Sequence, residues 1–333
     1  MGLVSGLVEW IFAPANEKEE EVQLVKPYEG KIIKPFRPQT LAEYVGQERA
    51  KSVITSYIEG TRKHNRPFPH ILTHGFAGCG KTTLIRLLAN ELGVPFVDVV
   101  TSELETSFQL YLKIASVNGG VVFLDEVHSL PRGLAESLYA IMEDFTYNGQ
   151  PIAPFTLAGA TTELGEILKT RKPFHDRFKI ITELDPYTPN ELAIIAKQYH
   201  QHTFPKVQLD DKVYEVLGKN SRGTPRTIIR LLESTIYLEG DYKKALDNAD
   251  IILDGFTTKD RKVLDFIMDY EKGVGLQAIS SYLNTSQENY LQQIEPYLLQ
   301  SGAILRTPRG RKITGTGEGL LIKLKGVIPN GKI

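Results

Sequence analysis

Gly75-Phe76-Ala77-Gly78-Cys79-Gly80-Lys81-Thr82 has the G-x-x-x-x-G-K-T spacing of a phosphate-binding loop. Ile71-Leu72-Thr73-His74 precedes it as a short apolar run that reads as a buried strand, and Thr83 to Leu92 follows with helical periodicity. A strand that turns through glycines into a helix leaves backbone N–H groups and the helix N-terminus facing outward, where they meet phosphate oxygens. Gly75, Gly78 and Gly80 permit that backbone, Lys81 reaches the β- and γ-phosphates, the Thr82 hydroxyl suits a Mg²⁺ ion, and Thr83 opens the helix beside it. The segment therefore predicts an ATP site and a fold built around it.

Working outward, Pro95 to Val100, Val121 to Leu124 and Thr156 to Ala160 read as further buried strands, and Leu134 to Met142 reads as a helix. Four strand candidates joined by helices predict an α/β core with a mostly parallel sheet and helices on both faces. Val121-Val122-Phe123-Leu124 ends in Asp125-Glu126. In that pair Asp125 is expected to hold the magnesium shell and Glu126 to polarise the attacking water, which separates a hydrolase from a simple binder. Ala158-Gly159-Ala160-Thr161-Thr162 ends another strand in hydroxyls, of which Thr162 is the candidate for positioning water. Arg177 stands where an AAA+ ATPase places an arginine that completes a neighbour's site, so an oligomer is implied. Arg226 opens a later helix from which it can report nucleotide state.

Asp185-Pro186-Tyr187-Thr188-Pro189 breaks the strand–helix alternation, because each proline disfavours helix at the residue before it. Beyond it, Glu191 to His202, Lys212 to Gly218 and Pro225 to Tyr237 predict a small all-helical lid. Leu276 to Leu283 and Gln287 to Gln300 have helix-turn-helix spacing, with Thr285 and Glu288 as a capping box. Ala303 to Thr307, the turn Pro308-Arg309-Gly310 and Arg311 to Thr314 then predict a hairpin, giving a C-terminal winged helix. A helical hairpin with a purely stabilising β-ribbon is the alternative. The expected organisation is an N-terminal extension over 1–34, an ATPase domain over 35–186, a lid over 187–255 and a winged helix over 256–333.

Charge and composition narrow the function. The net charge is −1, yet residues 302–333 carry seven Lys or Arg against one acid, Glu318. Such a tail suits a polyanion, although a solvated face has the same composition. The single cysteine, Cys79, excludes an internal disulfide and points to a reducing, cytoplasmic compartment. No apolar run reaches the roughly 18 residues of a membrane span. Residues 2–12 read as a short amphipathic helix on a charged tether, either folding back or docking on a partner. With no basic residue before its apolar core, this stretch is not read as a secretory signal.

Several segments together resemble the RuvB family of Holliday-junction branch-migration ATPases. They are Arg37-Pro38 with Glu43 to Gln47, Gly80 to Thr83, Asp125 to His128, Met142 to Phe145, Pro154 to Leu157 with Gly159 to Thr162, Asp176 to Phe178, Ser221 to Arg226, and Pro296 to Gln300 with Arg306 to Arg311. The likeness runs in order over roughly residues 35–320. It implies a hexameric ring that encircles duplex or four-way-junction DNA and moves it using ATP. It also implies that Phe36, Arg37, Tyr44, Val45 and Tyr187 surround the adenine and ribose, that Glu143, Asp144 and Phe145 belong to the nucleotide site, and that Arg306, Arg309 and Arg311 touch the DNA backbone. Phosphate contacts of that kind give affinity without sequence specificity.

The departures from the family pattern mark a divergent member. Only Phe145 to Ala153 spans the place where the family carries a long hairpin that docks on RuvA, so a short hairpin around Asn148-Gly149 is expected and dependence on a RuvA-like partner is left open. Glu163 and His175 stand where arginines are usual, Cys79 is unusual inside the loop, and the extension up to residue 34 is not typical. Two functions are carried forward: a DNA translocase for branch migration, and an AAA+ assembly factor or loader that switches contacts without processive movement. A binding module without hydrolysis conflicts with Asp125-Glu126.

Overall fold

The computed structural model describes residues 36–326, so the apolar stretch 2–12 and the last basic residue, Lys332, lie outside the described residues. Helix α1 (Glu48–His64) leads into strand β1 (Ile71–Gly75), helix α2 (Lys81–Leu92), β2 (Phe96–Val100), α3 (Ser107–Ser116), β3 (Val121–Asp125) and α4 (Arg132–Asp144). A small hairpin of β4 (Thr146–Tyr147) and β5 (Gln150–Pro151) precedes β6 (Thr156–Thr161), α5 (Leu164–Thr170), α6 (Lys172–His175) and β7 (Ile180–Leu184). Asn148 and Gly149 both adopt positive φ, 49° and 75°, as the turn of a two-residue hairpin requires.

The five main strands form one sheet in the order β2-β3-β6-β1-β7, and every pairing is parallel. Alternation along the strands explains why both faces are covered. Leu72, Val122, Leu124 and Leu157 point into a core with α3 and α4, whereas Ile71, Val121, Phe123 and Ala158 point into a second core with α1 and α2. Successive side chains of a strand leave on opposite faces, so each strand serves both layers.

Three expectations change here. The sheet has five strands rather than four, because Ile180–Leu184 alternates buried and exposed residues and reads weakly beside the fully buried runs. Phe96–Val100 is an edge strand with Val100 half exposed, not a buried one. Helices α1 and α3 also add to the core, their apolar stripes being spaced too widely to read as continuous runs.

The chain leaves the sheet at Leu184 and enters α7 (Pro189–Thr203) through a capping box in which Thr188 and Glu191 satisfy each other's backbone N–H groups. Helices α8 (Asp211–Lys219), α9 (Pro225–Tyr237) and α10 (Tyr242–Asn248) pack with α7 around Leu192, Tyr199, Leu217 and Leu231. A short ribbon, β8 (Ile251–Leu253) with β9 (Phe256–Thr257), then leads to α11 (Thr258–Met268) and α12 (Leu276–Tyr282). Next come α13 (Gln287–Asn289), a π turn over Tyr290–Ile294 and α14 (Glu295–Gln300), which run on as one helix. The wing is β10 (Ile304–Thr307) paired antiparallel with β11 (Gly310–Ile313), and α15 (Gly315–Gly326) closes the domain.

The cap of the second helix sits one residue later than expected. Ser286, not Thr285, accepts the Asn289 N–H, while Thr285 Oγ1 accepts from the Asn289 side chain. Helix α15 was not legible because four of its twelve residues are glycines, each a poor helix former. It is held by Leu321 and Leu324 in the core and by Gly317, where a Cβ would lie 2.1 Å from the Ala303 carbonyl oxygen. Among the described residues no helix is long and apolar enough to cross a membrane.

Candidate functional site

The sheet order explains where chemistry collects. Strand β6 lies between β1 and β3, so the loop after β1, the acids after β3 and the hydroxyls at the end of β6 emerge side by side at the carboxyl edge, where open parallel sheets bind ligands. Gly75, Gly78 and Gly80 have φ of 146°, 79° and 100°. Gly80 also admits close packing, since a Cβ there would lie 2.6 Å from the Tyr44 hydroxyl. Helix α2 has no acidic residue in its first turn and no side-chain cap, which leaves its positive end available to an anion. The buried Lys81 ammonium donates to the carbonyls of Gly75 (2.9 Å) and Phe76 (3.1 Å), bracing the loop while keeping one N–H to spare.

A cavity of about 500 Å³ opens over this loop. Phe36, Arg37, Tyr44 and Val45 line it from the N-terminal side, Gly78, Gly80, Lys81, Thr82 and Thr83 from the loop, Asp125 and Glu126 from β3, and Tyr187 and Arg226 from the lid. Its size and its mixture of aromatic and polar walls suit a nucleotide. Burial pushes the Tyr187 hydroxyl up to about 12 and the Tyr44 hydroxyl well above its usual range, so both stay neutral. The lid contributes more than was expected: Ile195, Gln198 and Tyr199 of α7 and Ile229 of α9 complete the wall. Their i, i+3, i+4 spacing on α7 is the signal that could have found them, but it is indistinguishable from an ordinary packing face.

Asp125 accepts the Glu126 N–H through Oδ1 at 3.0 Å, and burial together with the adjacent Glu126 raises its pKa. Glu126 adopts the left-handed region at φ 49°, ψ 51°, which is costly for a residue with a Cβ and is retained where the surroundings enforce it. Its Oε2 accepts from Thr162 Oγ1 at 3.2 Å and lies 3.2 Å from His128 Nδ1. The same His128 nitrogen is 3.0 Å from Thr161 Oγ1. Thr162 thus holds the carboxylate rather than lining the cavity itself. His128 joins that network through a short helical turn, Val127–Ser129, whose geometry the sequence does not announce.

Not every candidate meets in this cavity. Glu143 and Asp144 end α4 on the exposed surface, and Phe145 packs on His70 and Phe155. None of the three lines the pocket of its own chain. Glu143 instead pairs with Arg177 at 3.1 Å. Arg177 also lies 4.3 Å over the Tyr139 ring and donates to the Pro173 carbonyl at 2.7 Å, again away from the chain's own cavity.

On the wing, Glu295 is fully buried and receives two guanidinium forks. Arg306 donates through Nε (3.2 Å) and Nη2 (2.6 Å), and Arg311 through Nε (2.6 Å) and Nη2 (3.3 Å). Burial acts to raise the Glu295 pKa, but the two arginines outweigh it and hold the carboxyl below its usual range. Arg311 is only 14% exposed and Arg306 58%, whereas Arg309 stands exposed at the turn. The three arginines therefore differ: Arg311 is turned inward, and Arg306 and Arg309 face solvent.

A parallel sheet with a phosphate loop on β1, an interposed strand before the acidic pair and a helical lid closing the cavity defines a nucleotide-binding P-loop ATPase of AAA+ layout. The chain matches the model for the Holliday junction DNA helicase RuvB P-loop domain over residues 36–184, and the model for the RuvB C-terminal winged helix domain over residues 253–322. It is 36% identical to the Holliday junction branch migration complex subunit RuvB of Latilactobacillus sakei, over 87% of this chain and 92% of that one. Identity to the same subunit of Kosmotoga olearia is 37%, over 86% and 90%. The solved RuvB branch migration motor of Thermotoga maritima superposes with a TM-score of 0.75 at 35% identity, covering 86% of this chain and 98% of that structure. The chain belongs to the RuvB family.

Proposed function

We infer that this protein is an ATP-driven DNA translocase that moves Holliday junctions during recombination and repair. The observation that carries the reading is the union in one chain of a hydrolytic nucleotide site and a basic winged helix, both matched by the family's own domain models. Lys81 and the amides of its loop bind the β- and γ-phosphates, while Arg226 approaches the nucleotide from the lid. Glu126, held by Thr162 and His128, orients and polarises water for attack on the γ-phosphate.

Mg²⁺ fits the residues present. Thr82 and Asp125 both face the cavity, one offering a hydroxyl and the other a carboxylate. That matches an ion held by one carboxylate, a hydroxyl and substrate phosphates. The ion would neutralise phosphate charge as it develops; the protein's part is to hold the Asp125 carboxyl and the Thr82 hydroxyl at the cavity wall where it would sit.

Arg177, with Glu143 and Asp144, does not line its own cavity, which supports service to a neighbouring subunit's site in a homo-oligomeric ring, a hexamer in this reading. Arg306 and Arg309 bind phosphates of duplex or junction DNA. The two-residue strands of the β4–β5 hairpin offer little surface to a RuvA-like partner, and we assign them a reduced docking role.

The test is ATP turnover with naked DNA. A translocase is stimulated by duplex or four-way-junction DNA alone; a loader keeps a low rate until a protein partner is added, and that outcome would overturn the assignment.

A further inference from the structure

The loop 221–226 touches the nucleotide cavity at one end and the winged helix at the other. At the cavity end, Arg226 lines the pocket, and its Cβ would sit 2.9 Å from a Cβ placed on Gly78 of the phosphate loop. In the middle, the Gly223 carbonyl accepts the N–H of Tyr187 at 2.9 Å, and Tyr187 is itself a cavity wall. At the far end, Arg222 leaves the lid altogether. Its Nε donates to the Gly255 carbonyl at 2.7 Å, its Nη1 to the Gln293 carbonyl at 3.2 Å, and its Nη2 to Asp260 and Thr257. Its guanidinium also covers the Tyr297 ring at 4.8 Å.

The partners of Arg222 are fixed points of the winged helix. Asp260 is fully buried and closes the cap of α11 by accepting the Thr257 N–H and hydroxyl, each at 2.7 Å. Gln293 lies in the π turn Tyr290–Ile294, where the Glu295 N–H reaches back to the Tyr290 carbonyl. Pro296, which has no N–H, breaks the regular ladder there, and beside that break the Gln293 carbonyl accepts from Arg222. The loop turns tightly: Arg222 and Gly223 are consecutive residues at φ 52° and 70°. A Cβ on Gly223 would meet Gln300 at 2.8 Å and Pro186 at 3.0 Å.

We propose that Arg222 is a positioning residue that couples the nucleotide site to the DNA-binding wing, by clamping loop 221–226 to Asp260 and the Gln293 carbonyl. A shift of Arg226 or Tyr187 on nucleotide binding is carried through a stiff turn to α11 and the π turn, and so to the wing built on Glu295. Packed segments pass such shifts on as units, because close-packed interiors do not deform continuously. A planar fork with donors in three directions is needed, which Lys does not supply. The proposal rests on the reading of the chain as a DNA motor.

Coupling between two ligands is a reciprocal factor in their affinities, and it can be measured without any movement of DNA. The full-length chain is titrated with a fluorescent non-hydrolysable ATP analogue in the presence and absence of a short duplex, and with labelled duplex in the presence and absence of the analogue. The unsubstituted chain is expected to show the same factor, about tenfold, in both directions. In Arg222→Ala and Arg222→Lys the factor falls to near one, while the affinity for the analogue without DNA stays within about twofold. Because Arg222→Ala strips the buried Asp260 of its partner and can unfold the domain, Arg222→Lys, which keeps charge and stem, carries the decisive comparison, with calorimetry verifying its fold. Retention of the factor in a folded variant overturns the proposal, as does its absence from the unsubstituted chain. If coupling is present and lost as stated but the unsubstituted chain leaves four-way junctions unmoved, the motor reading fails and the clamp stands.

Discussion

Replacing Glu295 by Gln removes the one negative charge that two arginines of the wing share. Arg306 is 58% exposed, so its pair with Glu295 is screened by water and worth at most about 1 kcal/mol. Arg311 is 14% exposed, and stripping a largely buried guanidinium of its counter-charge costs more. Gln keeps an acceptor, which puts the loss near about 3 kcal/mol, the low end for breaking a buried pair. For a domain of this size that corresponds to a fall in melting temperature of roughly 12–24 °C, read by calorimetry as a winged-helix transition separating below the rest. The same change raises the wing's charge by one and frees Arg306. The slope of log affinity for duplex DNA against log salt should therefore steepen, by at most about 0.9, as Arg306 turns toward phosphate the charge that Glu295 otherwise neutralises. A melting curve unmoved and a salt slope unchanged would refute the assignment of Glu295 as the anchor of the wing.

Other expectations follow from the site. Lys81→Ala abolishes nucleotide binding or turnover, whereas Glu126→Gln retains ATP binding and loses about 10²- to 10⁴-fold in phosphate release, the usual contribution of a general base; normal release in the latter removes Glu126 from that role. Arg177→Ala is inactive alone and regains partial ATPase when mixed with Lys81→Ala, if it serves the neighbouring site. Absence of recovery in mixed oligomers argues against action in trans. Burial, reinforced by Lys179, lowers the pKa of His70, whose Nδ1 accepts from the Leu157 N–H and whose Nε2 meets the Met142 carbonyl. The folded state thus binds fewer protons than the unfolded one below the ordinary histidine value of about 6.5. Stability from this group is complete above that value and is lost as pH falls through the lower folded-state value; His70→Gln should flatten that part of a melting-temperature profile.

Much of the nucleotide site could be read from the chain because each part is local. The phosphate loop, Asp125-Glu126 and Thr161-Thr162 each follow a short apolar run whose burial is plain from composition. What escaped reading depends on contacts between distant segments. Glu295 precedes Arg306 and Arg311 by about a helix turn and a hairpin, so only the folded wing reveals that Arg311 is turned inward. Arg222 meets Asp260 across 38 residues, and a lone arginine in a loop carries no sign of such a partner. Strand β7 and helix α15 are illegible in the sequence for opposite reasons: an edge strand dilutes its apolar signal with exposed residues, while α15 has glycines where propensity would want alanine and is made helical by packing. Family likeness alone groups Glu143, Asp144 and Phe145 with the nucleotide, and within one chain they do not line its cavity.

The central claim is that the nucleotide cycle moves DNA, and its most direct test is migration of a synthetic four-way junction by the purified full-length chain, with Glu126→Gln as control and salt titrated. ATP-dependent migration that disappears in Glu126→Gln and weakens steeply with salt is the expected result. ATP hydrolysis with the junction left in place, at every salt concentration at which DNA is bound, would contradict it.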